Sequence, residues 1–190
     1  MTQRQGWIIG ATIGFLLVAG ISWAEAKDIP LKGTFAGTFL GTQMDLFPLG
    51  NPDGVAAGWQ TAEVTGNLGK RTNQSVIERV PTGPTQACPG GVFIIDAQNG
   101  IGFGTGTGTW PNGDQIYSQI VTGTACFDTA GRFTSTDTSR IAGGTGKFAG
   151  ASGTVEQTGT GFIQYFDAKA NPAQGFGSFS GEFEGTLILP

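Results

Sequence analysis

Few residues in this chain could do chemistry, and the commonest agent of it is missing: there is no histidine, against 14 acids, 10 bases and 2 cysteines. Without imidazole there is no Ser-His-Asp or Cys-His relay, no histidine metal site and no histidine pH switch. Proton transfer would fall to carboxylates, Lys or Tyr. Alternation turns Glu63 away from Ala62, Val64 and Leu68, Glu78 away from Ile77, and Glu156 away from Val155, so all three read as solvated. Asp96 closes an apolar run, Gly91-Val92-Phe93-Ile94-Ile95, that alternation cannot orient. A single buried acid with a raised pKa could serve as general acid or base, but nothing marks one, and the catalytic residues are left unknown.

Cys88 and Cys126 lack both the C-x-x-C spacing and the partner ligands of a metal or redox pair. They are expected to form a disulfide. Closing a loop of that length stabilises a fold by about 4 kcal/mol on the chain-entropy model. No metal and no cofactor are expected. Gly143-Gly144-Thr145-Gly146-Lys147 has Ile141 and Phe148 where a phosphate-binding loop needs Gly and Ser/Thr. Gly102-Phe103-Gly104-Thr105-Gly106-Thr107-Gly108 lacks the G-x-G-x-x-G spacing and a following helix. A formal net charge of −4 argues against nucleic acid, whose binding rests on Lys and Arg neutralising phosphates.

Residues 1–26 read as a signal peptide: Arg4 gives a short basic start, Trp7 to Val18 is largely apolar, and Ala24-Glu25-Ala26 is the small-x-small pattern of a cleavage site. Cleavage is placed between Ala26 and Lys27. The alternative is retention as an anchor, since Trp7 to Ala24 is just long enough to span a bilayer. Residues 27–190 are then one exported domain, secreted or periplasmic, where a disulfide persists and no membrane contact is expected once the signal is removed.

What must position any site is a set of strands, because period-two alternation recurs almost throughout and no amphipathic helical repeat appears. In Gly177–Leu187, Phe179, Phe183 and Leu187 share a face with Gly177, Gly181 and Gly185. The segment Gly33–Thr42 matches Gly177–Thr186 through the pattern G-[TS]-F-x-G-x-F-x-G-T. Glycine in a strand costs roughly 0.5–1 kcal/mol relative to Ala, so 34 glycines need a geometric reason. A tightly curved, closed sheet supplies one. The expectation is an all-β, closed antiparallel barrel of about eight strands, calycin-like, with first and last strands paired. Further strands are placed near 55–68, 72–80, 91–97, 100–110, 114–127, 131–142 and 150–166, with long loops at 43–54, 81–90 and 167–174. Every Pro after residue 26 is placed outside strand interiors.

Asn112-Gly113-Asp114, then Ile141-Ala142-Gly143-Gly144-Thr145-Gly146-Lys147-Phe148-Ala149-Gly150-Ala151-Ser152-Gly153, resembles the G-G-T-G-x-F-x-G-A-x-G signature of the allene oxide cyclase and dirigent barrel superfamily, closest to its small exported bacterial members. The similarity covers about 112–161. It implies an eight-stranded barrel, often trimeric in the plant proteins, with an apolar cavity, so further copies of the chain are an allowed partner. In such proteins the motif is a structural corner: Gly143, Gly144, Gly146, Gly150 and Gly153 would supply positive φ and close packing beside Thr145, and Phe148 would plug the barrel. The acidic residues of the cyclases and dirigents have no counterparts assignable here, so the fold transfers and the activity does not. The expected function is an exported small barrel that binds an apolar small molecule or serves as a non-catalytic structural or surface module. The alternative is a cofactor-free isomerase or cyclase, and the deciding feature is the interior: filled by Phe35, Phe39, Phe148, Phe179 and Phe183, or holding a pocket with one acid in it.

Overall fold

The computed structural model describes residues 26–42, 56–79, 88, 93–96, 104–167, 169 and 174–190. The expected signal segment before Ala26 lies outside them, as do the expected loop 43–54 and, apart from Cys88, the expected loop 81–90. Nine strands run in chain order: β1 (Lys27–Thr42), β2 (Ala56–Gly66), β3 (Gly69–Arg79), β4 (Phe93–Asp96), β5 (Gly104–Thr109), β6 (Gln115–Phe127), β7 (Arg132–Gly144), β8 (Ser152–Asp167) and β9 (Gln174–Leu189). All pairings are antiparallel, in the order β4-β6-β5-β3-β2-β1-β9-β8-β7, and a β6–β7 ladder closes the ring. β4 and β5 lie one after the other on the same edge of β6, opposite 124–127 and 115–120, so nine strands make eight staves.

The first and last strands pair over their whole length, and the register explains the sequence match between them. Gly33 faces Phe183, Phe35 faces Gly181, Gly37 faces Phe179 and Phe39 faces Gly177. Reversing the motif G-x-F-x-G-x-F exchanges its Gly and Phe positions, so antiparallel pairing of two copies sets each ring against a glycine. A Cβ on Gly177 would stand 2.6 Å from Phe39 Cζ, and one on Gly181 2.5 Å from Phe35 Cζ. The rings therefore occupy the space that side chains would have taken on the curved inner face.

β1 begins at Lys27, six residues earlier than the alternating pattern marks, and so contains Pro30. A proline is tolerated there because β1 pairs with β2 only from Gly33 onward, leaving Pro30 on an edge beside β9. Asn67, in the β2–β3 turn, covers that edge: its Nδ2 donates to Pro30 O at 2.6 Å, and its Oδ1 accepts from Lys32 N at 3.0 Å.

One end of the barrel is sealed. Trp110, from the turn before β6, packs on Phe148 with ring centroids 4.4 Å apart, and its Nε1–H donates to Leu68 O at 2.9 Å. Leu31, Val64, Ile141, Ala151, Phe183 and Leu187 complete this buried floor. Phe148 is carried on a 3-10 turn, Gly146–Phe148, at the β7–β8 corner. Gly143, Gly146, Gly150 and Gly153 there have positive φ, whereas Gly144 serves by close packing, with Phe148 Cβ only 2.8 Å from where a Cβ would stand. At Gly146, with φ of +56°, a Cβ would overlap the Asp114 carboxylate, which the Asn112 amide holds at 2.8 Å. Gly146→Ala should therefore destabilise the barrel by about 2–4 kcal/mol in urea unfolding, from left-handed strain plus displacement of Asp114.

The register shifts between Tyr117 and Ser118, between Ile120 and Thr122, and between Ile163 and Tyr165, and the last two shifts redirect side chains. In β6 the register shifts between Ile120 and Thr122, so the inward series passes from Ile116, Ser118 and Ile120 to Gly123, Ala125 and Phe127. In β8 a shift between Ile163 and Tyr165 sets Tyr165 opposite Phe176, their rings 5.9 Å apart on the outer surface. Tyr165, Phe176, Leu40 and Trp59 then form one exposed row across four strands near the end opposite the floor. Tyr117, Val121, Phe162 and Phe166 are exposed as well, while other cross-strand rows of the outer face are polar, such as Thr124, Thr136, Thr158, Glu182, Thr34, Thr65.

The barrel lumen as a candidate binding site

Above the sealed floor the barrel is hollow. A cavity of about 250 Å³ is lined from every stave. β5 leaves room for it: alternation there sets Gly104, Gly106 and Gly108 inward, the same Gly-Thr run that mimics a dinucleotide motif in the sequence, and β5 contributes Thr105, Gly106 and Gly108 to the lining. These glycines differ from those of β1 and β9. At Gly33, Gly177 and Gly181 a phenyl ring takes the space of a side chain, whereas Gly106 and Gly108 border the cavity.

The two sides of the lumen differ in chemistry. β1 and β9 present Phe35, Phe39 and Phe179, in contact at centroid distances of 5.9 and 6.4 Å, and Phe133 packs edge-on against Phe39 at 5.8 Å. Facing them, β2, β3 and β6 present Gln60, Arg71, Asn73, Ser75 and Ser118. Ser75 Oγ donates to Gln60 Oε1, and Ser118 Oγ to Gly106 O, both at a long 3.4 Å. Ser135, Asp137, Ser139 and Gln157 add a polar strip from β7 and β8, with Gln157 Nε2 donating to Ser139 Oγ at 3.4 Å. Hydrogen bonds of this length yield easily to a better partner.

Arg71 stands where the floor meets the cavity. Its Cζ lies 5.0 Å from the Trp110 ring centroid and 5.1 Å from that of Phe183. Burial lowers its pKa to about 10, so the side chain remains a cation at neutral pH in a site that disfavours charge. Gly108 opposite makes room for it, since a Cβ there would be 3.1 Å from Arg71 Cδ and Nε.

Glu63 and Glu156 are exposed, as alternation indicates, while the side chains of Glu78 and Asp96 lie outside the described residues. The acid that does line the lumen is Asp137, against Gly123, where a Cβ would collide with its carboxylate. Sequence reasoning did not single it out. The signal was present: counting back in twos from Ile141 at the glycine-rich corner gives Ser139, Asp137 and Ser135 on the inner face, and the same count from Ile77 reaches Arg71. Of the aromatic residues in question, Phe148 and Phe183 belong to the floor, and Phe35, Phe39 and Phe179 line the cavity. Cys88 and Cys126 form the disulfide, with Cα atoms 6.0 Å apart, tying the segment before β4 to β6. Among the described residues no group of three or more metal-ligating side chains occurs.

No protein-family model, curated protein or solved structure matches this chain. Its function is therefore argued from the lumen.

Proposed function

We propose that this chain is an exported barrel that binds an apolar or amphipathic small molecule in its lumen, without chemical turnover. The observation that carries the reading is the 250 Å³ cavity between an aromatic wall and a wall of weakly engaged polar groups, sealed at one end. The small-x-small end of the leader, followed at once by β1, supports export, and the rows of Thr and Glu on the outer face support a barrel surrounded by water and not lipid. The resemblance of the glycine-rich corner to the allene oxide cyclase and dirigent signature supports a cavity-bearing fold of that kind.

Organic extraction of the purified protein, followed by mass spectrometry, should release a bound small molecule. Titration with 2-naphthol, a neutral aromatic probe, should raise Tm, because a ligand at a hundred times its Kd stabilises by about 2.7 kcal/mol, roughly 5–10 °C here. Gly106→Leu would fill the lumen and should weaken 2-naphthol binding at least about tenfold while leaving the far-UV circular dichroism unchanged. An empty extract together with no thermal shift from a ligand panel would rule the reading out.

The second reading, a cofactor-free isomerase or cyclase, is favoured by one observation, the Asp137 carboxylate within the lumen. It requires that an allylic epoxide be converted faster by the wild type than by Asp137→Asn, with both binding 2-naphthol equally.

A further inference from the structure

We propose that the lumen is selective for a compact arylalkyl monocarboxylate, seated carboxylate-first on Arg71 with its ring against Phe35, Phe39 and Phe179. This rests on the reading of the lumen as a binding site and specifies what it takes.

The argument begins with a cation in an unusual place. Arg71 points inward from β3 and lines the cavity at its deep end, with the rings of Trp110 and Phe183 beside it. Among the described residues it forms no ion pair or hydrogen bond, so its guanidinium N–H donors have no bonded acceptor there. Ring faces offset part of the desolvation of a guanidinium, but they do not satisfy its donors. A carboxylate does both, in the planar two-bond geometry that arginine favours. Asn73, the next inward residue of β3, adds an amide donor on the same wall.

Charge and size narrow the class. The titratable side chains among the described lining residues are Arg71 and Asp137, one of each sign. A dianion such as a phosphate monoester would leave its second charge uncompensated in a lumen that already holds an acid, so a single negative charge fits best. Burial depresses the Arg71 pKa but leaves the group charged at neutral pH. A cavity of about 250 Å³ suits a ring on a short chain. The aromatic wall is rigid, because each ring is held against a strand glycine or another ring.

Isothermal titration of the full chain with 3-phenylpropionate and with its neutral counterpart, 3-phenylpropanamide, tests this, with 2-naphthol as a probe indifferent to charge. The wild type should bind the carboxylate at least about tenfold more tightly than the amide. In Arg71→Gln the carboxylate and the amide should bind equally well, each referred to that variant's own affinity for 2-naphthol, and Arg71→Lys should keep part of the preference, which holds the test open if the glutamine variant folds poorly. Equal affinity for carboxylate and amide in the wild type, or a preference that survives in Arg71→Gln, would overturn the proposal and leave lumen binding intact. So would binding of 2-naphthol with none of either phenylpropanoid. Failure of all three ligands would overturn this inference, and together with an empty organic extract it would remove the binding reading as well. Arg71→Met gives an independent readout: an arginine held for binding and not for the fold should be replaceable with Tm unchanged or raised by a few degrees.

Discussion

Phe148→Ala should lower the unfolding free energy by about 3–5 kcal/mol, the range for deleting a fully buried phenyl ring. Phe148 is only 1% exposed, and it reaches the core from outside the strand ladder, on a 3-10 turn whose Phe148 N–H donates to Thr145 O at 3.0 Å. Its ring lies between Trp110 and the buried side chains of Leu187, Ile141 and Ala151, in the layer that closes the barrel. The backbone there is fixed by a cross-connection between corner and turn: Thr145 N donates to Gln115 O at 2.9 Å, and Gln115 N to Thr145 Oγ1 at 3.1 Å. The corner cannot collapse inward to fill the space, so most of the cavity penalty should be expressed. Trp110 loses its stacking partner, and its fluorescence should shift to the red as water reaches the floor. Phe148→Leu keeps most of the volume and should cost about 1–2 kcal/mol. Urea unfolding checks both, and a loss below about 1 kcal/mol for the alanine variant would mean that the floor is not what holds this end shut.

Removing the disulfide should have a comparable effect by a different route. Opening the 38-residue separation between Cys88 and Cys126 restores chain entropy to the unfolded state worth about 4 kcal/mol, and Tm should fall by roughly 8–16 °C on reduction or in the double serine variant. The loss should also be local. β4 has four residues, and among the described residues its ladder runs along β6 alone, where Ile94 pairs with Cys126 itself. The bond fixes the chain five residues before β4 to the strand that β4 must find. Hydrogen exchange should therefore speed up first at Phe93–Asp96, while the sixteen-pair ladder of β1 and β9 keeps its protection. Unchanged exchange at β4 after reduction would show that β4 holds its place without the crosslink.

The sequence by itself determined the class of fold, its closure and its crosslink. Alternation is a property of neighbouring residues, so Phe/Gly repeats at both ends were enough to place the inner face, and the match between the two ends pointed to their pairing. The missing histidine removed whole categories of chemistry before any coordinates were considered. Other features depended on where strands meet. Pro30 is compatible with β1 only because β2 has not yet joined that edge, a fact about the register of a strand beginning some thirty residues later in the chain. The parity of β6 reverses at Val121 and that of β8 at Gln164, since a bulge adds one residue to one strand and leaves its partner's count unchanged. The split of one stave into β4 and β5 likewise follows from two short segments meeting the same edge of β6. The site itself was decided at this level. Arg71, Asp137, Gly106 and Phe39 lie on four strands, and each reads alone as an ordinary alternating position. Only the closing of the ring turns them toward a common interior, sets the glycine run of β5 beside the cavity, and places one half-buried cation at its deep end.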